Sequence, residues 1–593
     1  MVCRSRFVVT AGAIAGILAA SLAGCGGGGD DGGGKDGRGG TLRIVGSSDP
    51  DHLDPASGYT FASLALTRTF ARPLFLTRSS NTFEETIPIQ ADVAAEVPTK
   101  DNGGISADGK TYTIKLRSGV TWNSKPAREV TAGDYVRGLK RLCNPASPSG
   151  GQGYYRSTIL GMDAYCKAYG KVDAKNAAAM AGYQNGHDID GLKAKDDRTL
   201  VVKLTRPAGD MLNILALQFA SAAPKEYDQY VPDGQEFRTH TLSDGPYEIT
   251  GYSPNRTITL GRNPAWKGAS DPLRPAYVDA IQINLGQDSP DAVQQQLEQG
   301  TADLALDSPV PTAAISRLKS AKDDRFAIRR SPSISPFLVF NSQSPNNGKA
   351  LADKRVRQAI EYAIDKSALV KIYGGPDVAE PLNQVIPPGN VGYQKYDTYG
   401  TPGDQGDAAK CKALLAAAGH PALTLKFPFR VSGNSPKVAQ SVQANLRSCG
   451  VNAQITPDSS GDFYGKSLVS PAAAREGKWD VAAPNWSPDW YGNNGRSVIQ
   501  PLFDGRTYGQ NSTNYGAYDN PAVNGLIDQA LEAQDQGKAA DLWHRADRQI
   551  MDDAAVVPFL NPNFAIYHSN RIRNAMFIPT IQAYDYTKVR LGG

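Results

Sequence analysis

At 593 residues the chain is too long for a single hydrophobic core, so roughly two to four domains are expected. With 21% charged and 40% apolar residues it has the mix of a soluble globular protein. A net charge of +4 leaves no electrostatic footprint for nucleic acid, which is excluded as a partner class.

The N-terminus reads as a targeting segment. Arg4 and Arg6 open it, residues 7–22 are apolar and small, and Leu22-Ala23-Gly24-Cys25 follows. A basic start, a short apolar run and a small-residue cleavage site make a secretory signal over residues 1–24. The run is short for a membrane-spanning helix and lacks a basic stop-transfer flank. The tetrapeptide resembles the bacterial lipobox, which implies that Cys25 becomes the lipidated first residue and that the protein is extracytoplasmic, lipid-anchored to the outer face of the cell membrane. Residues 25–40 are then the lipidated Cys and a Gly-rich tether, GGGGDDGGGKDGRGG after Cys25, which cannot bury apolar surface. A phosphate-cradling loop would need a strand before it and a helix after it, and here a signal segment precedes.

Of six cysteines, Cys3 leaves with the signal and Cys25 is the anchor. Cys143, Cys166, Cys411 and Cys449 remain, and four cysteines in an exported chain allow three connectivities. The expected pairing joins sequence neighbours, Cys143–Cys166 and Cys411–Cys449. No CxxC or HExxH occurs and the His are scattered, so no metal and no cofactor are expected.

In chain order, Thr41–Val45 alternates as a strand and Asp49–Pro55 is a turn-rich loop. Tyr59–Leu76 reads as a helix broken near Pro73. Asp108-Gly109 is a hairpin-type turn before the alternating Thr111–Leu116. Thr131 with Asp134 three residues on is a capping pair, and Asp197–Leu204 repeats the turn-then-alternation device. Ser243–Ile249 is a turn entering a strand, Thr257–Leu260 alternates, and Ala292–Gly300 is a short helix. Pro332 and Pro336 precede Phe337–Asn341, a segment suited to crossing between domains. Asp353–Tyr373 is expected to be one helix, with Val356, Ile360, Ala363 and Ile364 on one face and Gly374-Gly375-Pro376 as its stop. Ala408–Ala418 and Lys437–Cys449 read as helices and Leu423–Phe429 and Val451–Ile455 as strands, the alternation of a mostly parallel sheet covered by helices. Helices at Val523–Ala533 and Ala540–Met551 follow, then a second crossing at Val556–Leu560 and a strand-like tail over Phe564–Val589.

Trp479–Gly495, WDVAAPNWSPDWYGNNG, stands apart. A short strand at Asp480–Ala483 is broken by Asn485–Asp489, because Pro488 lacks an N–H and restricts Ser487 to extended shapes. Aromatic faces beside a fixed carboxylate suit a small cationic or amphipathic ligand. Such loops also serve as core plugs.

Several motifs then fall into one order and spacing: Leu53-Asp54-Pro55, the run from Asp108 to Trp122, Val130–Asp134, Gly245-Pro246-Tyr247, Arg262-Asn263-Pro264 and Arg355–Ile360. Together they resemble the large solute-binding proteins of ABC importers, extracellular family 5, which carry peptides, nickel and related solutes. The resemblance implies a two-lobed, periplasmic-binding-protein-like α/β fold (type II, cluster C) with an extra inserted α+β domain. Lobe I would comprise 41–81, 206–330 and 560–593, the inserted domain 82–205, and lobe II 331–559. Solute would sit between lobes that close by hinge motion.

In peptide-binding relatives an Asp within Trp-x-x-Asp pairs with the ligand's α-ammonium, and Trp486-Ser487-Pro488-Asp489 matches that segment. Asp489 is thus the expected ammonium partner and Trp486 a side-chain wall, with Asn485, Trp490 and Tyr491 beside them. The alternative is that Asp489 only caps the turn after Pro488. Gly245, Tyr247, Tyr59 and Phe61 are candidates for the opposite wall. The sequence reveals no basic residue for a ligand's C-terminus. The implied partners are a peptide or other small solute, ABC permease subunits and, through the lipid anchor, the membrane. The protein itself is expected to be a monomer. Nickel-chelate, oligosaccharide and signalling-peptide binders share the scaffold, so fold does not set the solute. An exported peptide hydrolase is the alternative from a different class. Against it, no G-x-S-x-G occurs, and the S-x-x-K match at Ser316–Lys319 has no accompanying Lys-Thr-Gly.

Overall fold

Alternation along Thr41–Val45 turns Leu42 and Ile44 into one core and sets that strand inside a five-stranded sheet. The spatial order is Leu304–Ala305, Thr41–Val45, Ala280–Asn284, Thr257–Arg262, Tyr247–Ser253. Thr41–Val45 pairs in parallel with both neighbours, and the remaining ladders are antiparallel. The computed structural model describes residues 38–533 and 535–592; the signal segment, Cys25 and most of the tether lie outside the described residues. Among the described residues no helix is long and apolar enough to cross a membrane.

The helix on this sheet is Phe61–Phe70, shorter than the span expected over Tyr59–Leu76. Thr60 caps it by accepting from the Ser63 N–H. It ends because Pro73 disfavours helical geometry at Arg72, and Ala71 is already extended. Phe75–Thr77 instead pairs with Ile89–Ala91 as a two-stranded ribbon.

A second body is built on the antiparallel order Thr111–Lys115, Thr199–Lys203, Leu192–Asp196. Tyr112, Ile114, Leu200 and Val202 point into its core. The helix Ala132–Arg141 covers it, opened by a reciprocal capping box between Thr131 and Asp134. The Cys143–Cys166 disulfide lies in this core. Packing does not stop at residue 205, since Ala208, Met211, Ile214 and Phe219 join the same core. Arg72, Asp92, Asp271 and Arg274 form a fully buried ion-pair network between this body and the first.

The remaining lobe holds the parallel pair Leu423–Arg430 and Val451–Asp458, joined by the helix Ser435–Ser448. Cys411–Cys449 ties that helix end to Ala408–Ala417. The helix expected over Asp353–Tyr373 is two helices, Lys354–Ala363 and Lys366–Tyr373. Ile364 turns extended (φ −84°, ψ 121°), and Asp365 restarts the chain by accepting from the Ala368 N–H. Apolar periodicity runs through the break, but the carboxylate cap wins locally.

The chain passes twice between the lobes. Phe326–Arg329 pairs antiparallel with Phe564–Tyr567 on one side, and Phe337–Phe340 pairs with Val556–Pro558 on the other. Between them the passing segments are laced by Ser335 N–H to Leu560 O at 3.0 Å and Phe559 N–H to Pro336 O at 3.2 Å.

Candidate functional site

The aromatic loop is anchored to this crossing. Val481–Ala482 pairs with Phe337–Phe340, and Trp486 then exchanges both backbone bonds with Ile334, at 2.9 and 3.1 Å. Pro484 contributes only its carbonyl, which accepts from the Phe337 N–H. These ties leave Asp489 projecting toward the other lobe.

There Asp489 Oδ2 accepts two hydrogen bonds, from the Tyr154 hydroxyl at 2.6 Å and the Tyr59 hydroxyl at 3.0 Å. Tyr154 belongs to the short helix Gln152–Arg156, and Tyr59 precedes the helix Phe61–Phe70. Three distant stretches of chain thus converge on one carboxylate. Its other oxygen, Oδ1, accepts nothing among the described residues and is not sealed off from solvent-sized space. Burial raises the Asp489 carboxyl to about 7, opposed by the two tyrosine hydroxyls, which favour the charged form. Burial, then the adjacent carboxylate, pushes the Tyr59 and Tyr154 hydroxyls far up, so both act as donors.

Asp489 and Tyr59 are only partly buried and keep accessible surface. Tyr373, Arg430, Tyr464 and Asn485 share that partial accessibility. Burial, then the neighbouring Tyr464 hydroxyl, raises the Tyr515 hydroxyl, and Arg430 and Asp489 both lie within electrostatic reach of it. The Arg430 guanidinium lies 5.8 Å from the Phe463 ring centre and 5.6 Å from that of Tyr464. Its Nε is buried without an acceptor, and it forms no ion pair among the described residues. Asn485 donates its backbone N–H to the Tyr464 hydroxyl at 3.3 Å, and its side-chain oxygen is likewise buried and unpaired. The site therefore has a carboxylate, an unpaired guanidinium and tyrosine walls.

The other sequence candidates divide. Trp486 stands edge-on to Tyr59 at 6.0 Å and is pinned by its indole N–H to Ser497 O. Trp490 reaches across the interface into the core of the second body, 5.0 Å from the Tyr154 ring. Tyr491 is buried against Phe83, with Ser331 and Ser487 near its hydroxyl. Phe61 opens its helix and is only partly buried. Gly245 and Tyr247 are not at this wall. Tyr247 is fully buried with its hydroxyl on Val278 O. Gly245 is a glycine because a Cβ there would come within 2.8 Å of the Thr69 carbonyl. Ser316 and Lys319 lie exposed on the helix Thr312–Ala321, with Lys319 paired to Asp377, which is no nucleophile site.

Tyr154, Arg430 and Arg496 had not stood out in the sequence. Arg496, 2% exposed, extends from the helix Gly495–Phe503 into the second body. It donates to Tyr154 O at 2.9 Å, Ser157 Oγ at 2.7 Å and Thr158 Oγ1 at 2.7 Å, and pairs with Asp210 at 3.3 Å. This guanidinium ties its own lobe to the second body and fixes the segment that presents Tyr154. The only local signal was the Gly-rich run before Tyr154-Tyr155.

Comparison with known proteins gives one family. The family model described as "Bacterial extracellular solute-binding proteins, family 5 Middle" matches residues 90–509. The dipeptide-binding protein of Escherichia coli K12 is 28% identical over 474 residues, 76% of this chain and 78% of its own. A probable di/tripeptide-binding protein of Pseudomonas aeruginosa UCBPP-PA14 is 25% identical over 542 residues, 88% and 90% of the two chains. Among solved structures, clavulanic acid biosynthesis oligopeptide binding protein 2 superposes with a TM-score of 0.77 at 25% identity, covering 94% of this chain and 96% of its own.

Proposed function

Because the chain belongs to the bacterial extracellular solute-binding proteins of family 5, we propose that it is an extracytoplasmic receptor that encloses a short peptide between its lobes and delivers it intact to an ABC permease. The family binds solutes and is not enzymatic. The division we propose is lobe I over 41–81, 206–330 and 560–593, an inserted domain over 82–205 whose core also takes in residues 208–222 of lobe I, and lobe II over 331–559. The observation that carries the peptide reading is that Asp489 Oδ1 accepts no hydrogen bond and the Arg430 guanidinium makes no ion pair among the described residues, while both lie within electrostatic reach of the Tyr515 hydroxyl. A zwitterionic peptide offers an ammonium to the first and a carboxylate to the second. Tyr59 and Tyr154 hold Asp489 Oδ2, so the carboxylate meets the ammonium already oriented. Closure then follows from the ligand's preference for the closed arrangement.

Arg430→Met tests the carboxylate end. Charge-assisted bonds of this kind contribute about 1.5–3 kcal/mol, so binding of a peptide with a free C-terminus is expected to weaken about 10- to 150-fold. The C-terminal amide of the same peptide should bind as to the wild type. Equal loss for acid and amide would remove Arg430 from this role.

The raised Asp489 carboxyl sets a pH dependence. Its folded value, about 7, lies above the ordinary carboxylate range, so between pH 4 and 7 the ligand-free closed form holds a proton that the unfolded chain lacks. That form therefore loses stability as pH rises through this window. An ammonium requires the ionised carboxylate, so binding releases a proton below pH 7. Affinity for free-amino peptides is expected to fall about tenfold per unit from pH 7 to pH 5, measured by calorimetry. Asp489→Asn should flatten the profile, and an unchanged slope in that variant would assign the proton elsewhere.

We also propose that Cys25 is lipidated and tethers the receptor to the outer face of the membrane, and that the protein acts as a monomer. Cys25→Ser is expected to shift the protein from the membrane fraction to the medium. Retention at the membrane would contradict the anchor.

A further inference from the structure

A cavity of about 230 Å3 opens beside the root of the crossing strands and is lined by none of the residues around Asp489. It is lined by Asn81, Asp324, Arg325, Arg329, His568 and Arg573, with Asn574 and Tyr584 closing it. Three guanidiniums against one lining carboxylate is an unusual surplus for so small a volume. Arg325 is already satisfied, since both oxygens of Asp323 take its Nε and Nη2 at 2.9 and 2.6 Å. Arg573 donates to the carbonyls of Asn570 and Ile572, which leave its charge uncancelled. Arg329 is the telling group. Its Nε is buried without an acceptor, and its side chain makes no hydrogen bond or ion pair among the described residues.

We propose that this cavity binds a small multivalent oxyanion of the phosphate or polycarboxylate class, held between Arg329 and Arg573. A planar guanidinium matches two oxygens of such an anion at once, and a buried, acceptor-less N–H gains most from that partner. Asn81 and Asn574 are each oriented by one bond to a backbone carbonyl, Ala575 O at 3.0 Å and Lys588 O at 3.1 Å. Their amides therefore stand fixed at the rim. Asp324 is exposed, so water screens its opposing charge. His568 holds its Nδ1 on the Ser569 carbonyl at 2.9 Å, and burial keeps the ring neutral. The volume is too small for a peptide, which separates this site from solute capture.

The test is calorimetric titration of the whole protein, without peptide, with sodium phosphate and with sodium citrate at ionic strength held constant by sodium chloride. Saturable one-to-one binding of at least one of the two is expected, weakened at least tenfold in Arg329→Met. Arg573→Met serves as the second variant, with the same loss expected. Melting temperature in chloride alone reports whether each variant is folded. Absence of saturable binding by both anions, or folded variants that titrate as the wild type does, would overturn the proposal. Peptide binding plays no part in the readout, so its failure and this one are told apart.

Discussion

Replacing Asp489 with Asn is expected to weaken binding of a peptide with a free amino terminus by about 2–5 kcal/mol, roughly 30- to 5,000-fold. The N-acetylated form of the same peptide, having no charge for the carboxylate, should bind the variant and the wild type equally. The reasoning is geometric. Oδ2 is committed to Tyr154 and Tyr59, and the asparagine amide can keep one oxygen on those hydroxyls while losing the negative charge. An ammonium enclosed against a neutral amide keeps its desolvation cost without the compensating charge. Calorimetry with the peptide pair checks this, and equal losses for both forms would reduce Asp489 to a turn-stabilising residue.

Arg496→Met should have the second-largest effect, on closure. Methionine keeps much of the volume but removes every bond that spans the interface from this side chain. Asp210, 5% exposed, is then left buried without its partner, at a cost of about 3–5 kcal/mol. The closed arrangement loses that stabilisation and the open one does not, so the radius of gyration of the ligand-free protein in small-angle scattering should rise. Peptide affinity should fall at least about tenfold, because binding must also supply the energy of closure. Tyr154 is presented by the same segment, so part of the loss should appear as weaker discrimination between free and acetylated amino termini. Scattering and affinity like those of the wild type would show that Arg496 is not what holds the lobes.

Much of the architecture was legible because it rests on local rules. The Thr131–Asp134 box, the alternation in Thr111–Lys115 and Thr199–Lys203, and the glycine stop at Gly300 each state their structure within a few residues. Where one local rule hid another, reading failed. The apolar stripe through residues 353–373 concealed the Asp365 cap that splits the helix. The site was half legible. Asp489 was singled out by the resemblance of Trp486-Ser487-Pro488-Asp489 to the Trp-x-x-Asp segment of peptide-binding relatives. Tyr154 lies 335 positions away in sequence and Arg496 meets its carbonyl across 342, so nothing local reports either contact. Arg430 ends a strand as many arginines do, and only its lack of a hydrogen-bonding or ion-pair partner among the described residues marks it. Gly245-Pro246-Tyr247, a strong motif, packs tightly on Thr69 and Phe70.

The most direct test is equilibrium dialysis of the purified protein against a mixed library of di- to pentapeptides, with the retained molecules identified by mass. The expected result is about one peptide per protein, retained whole, with unblocked amino termini strongly enriched over an N-acetylated copy of the library. Retention of neither library, retention of both alike, or recovery of cleavage fragments would contradict a clamp that grips a peptide by its ammonium and releases it unchanged.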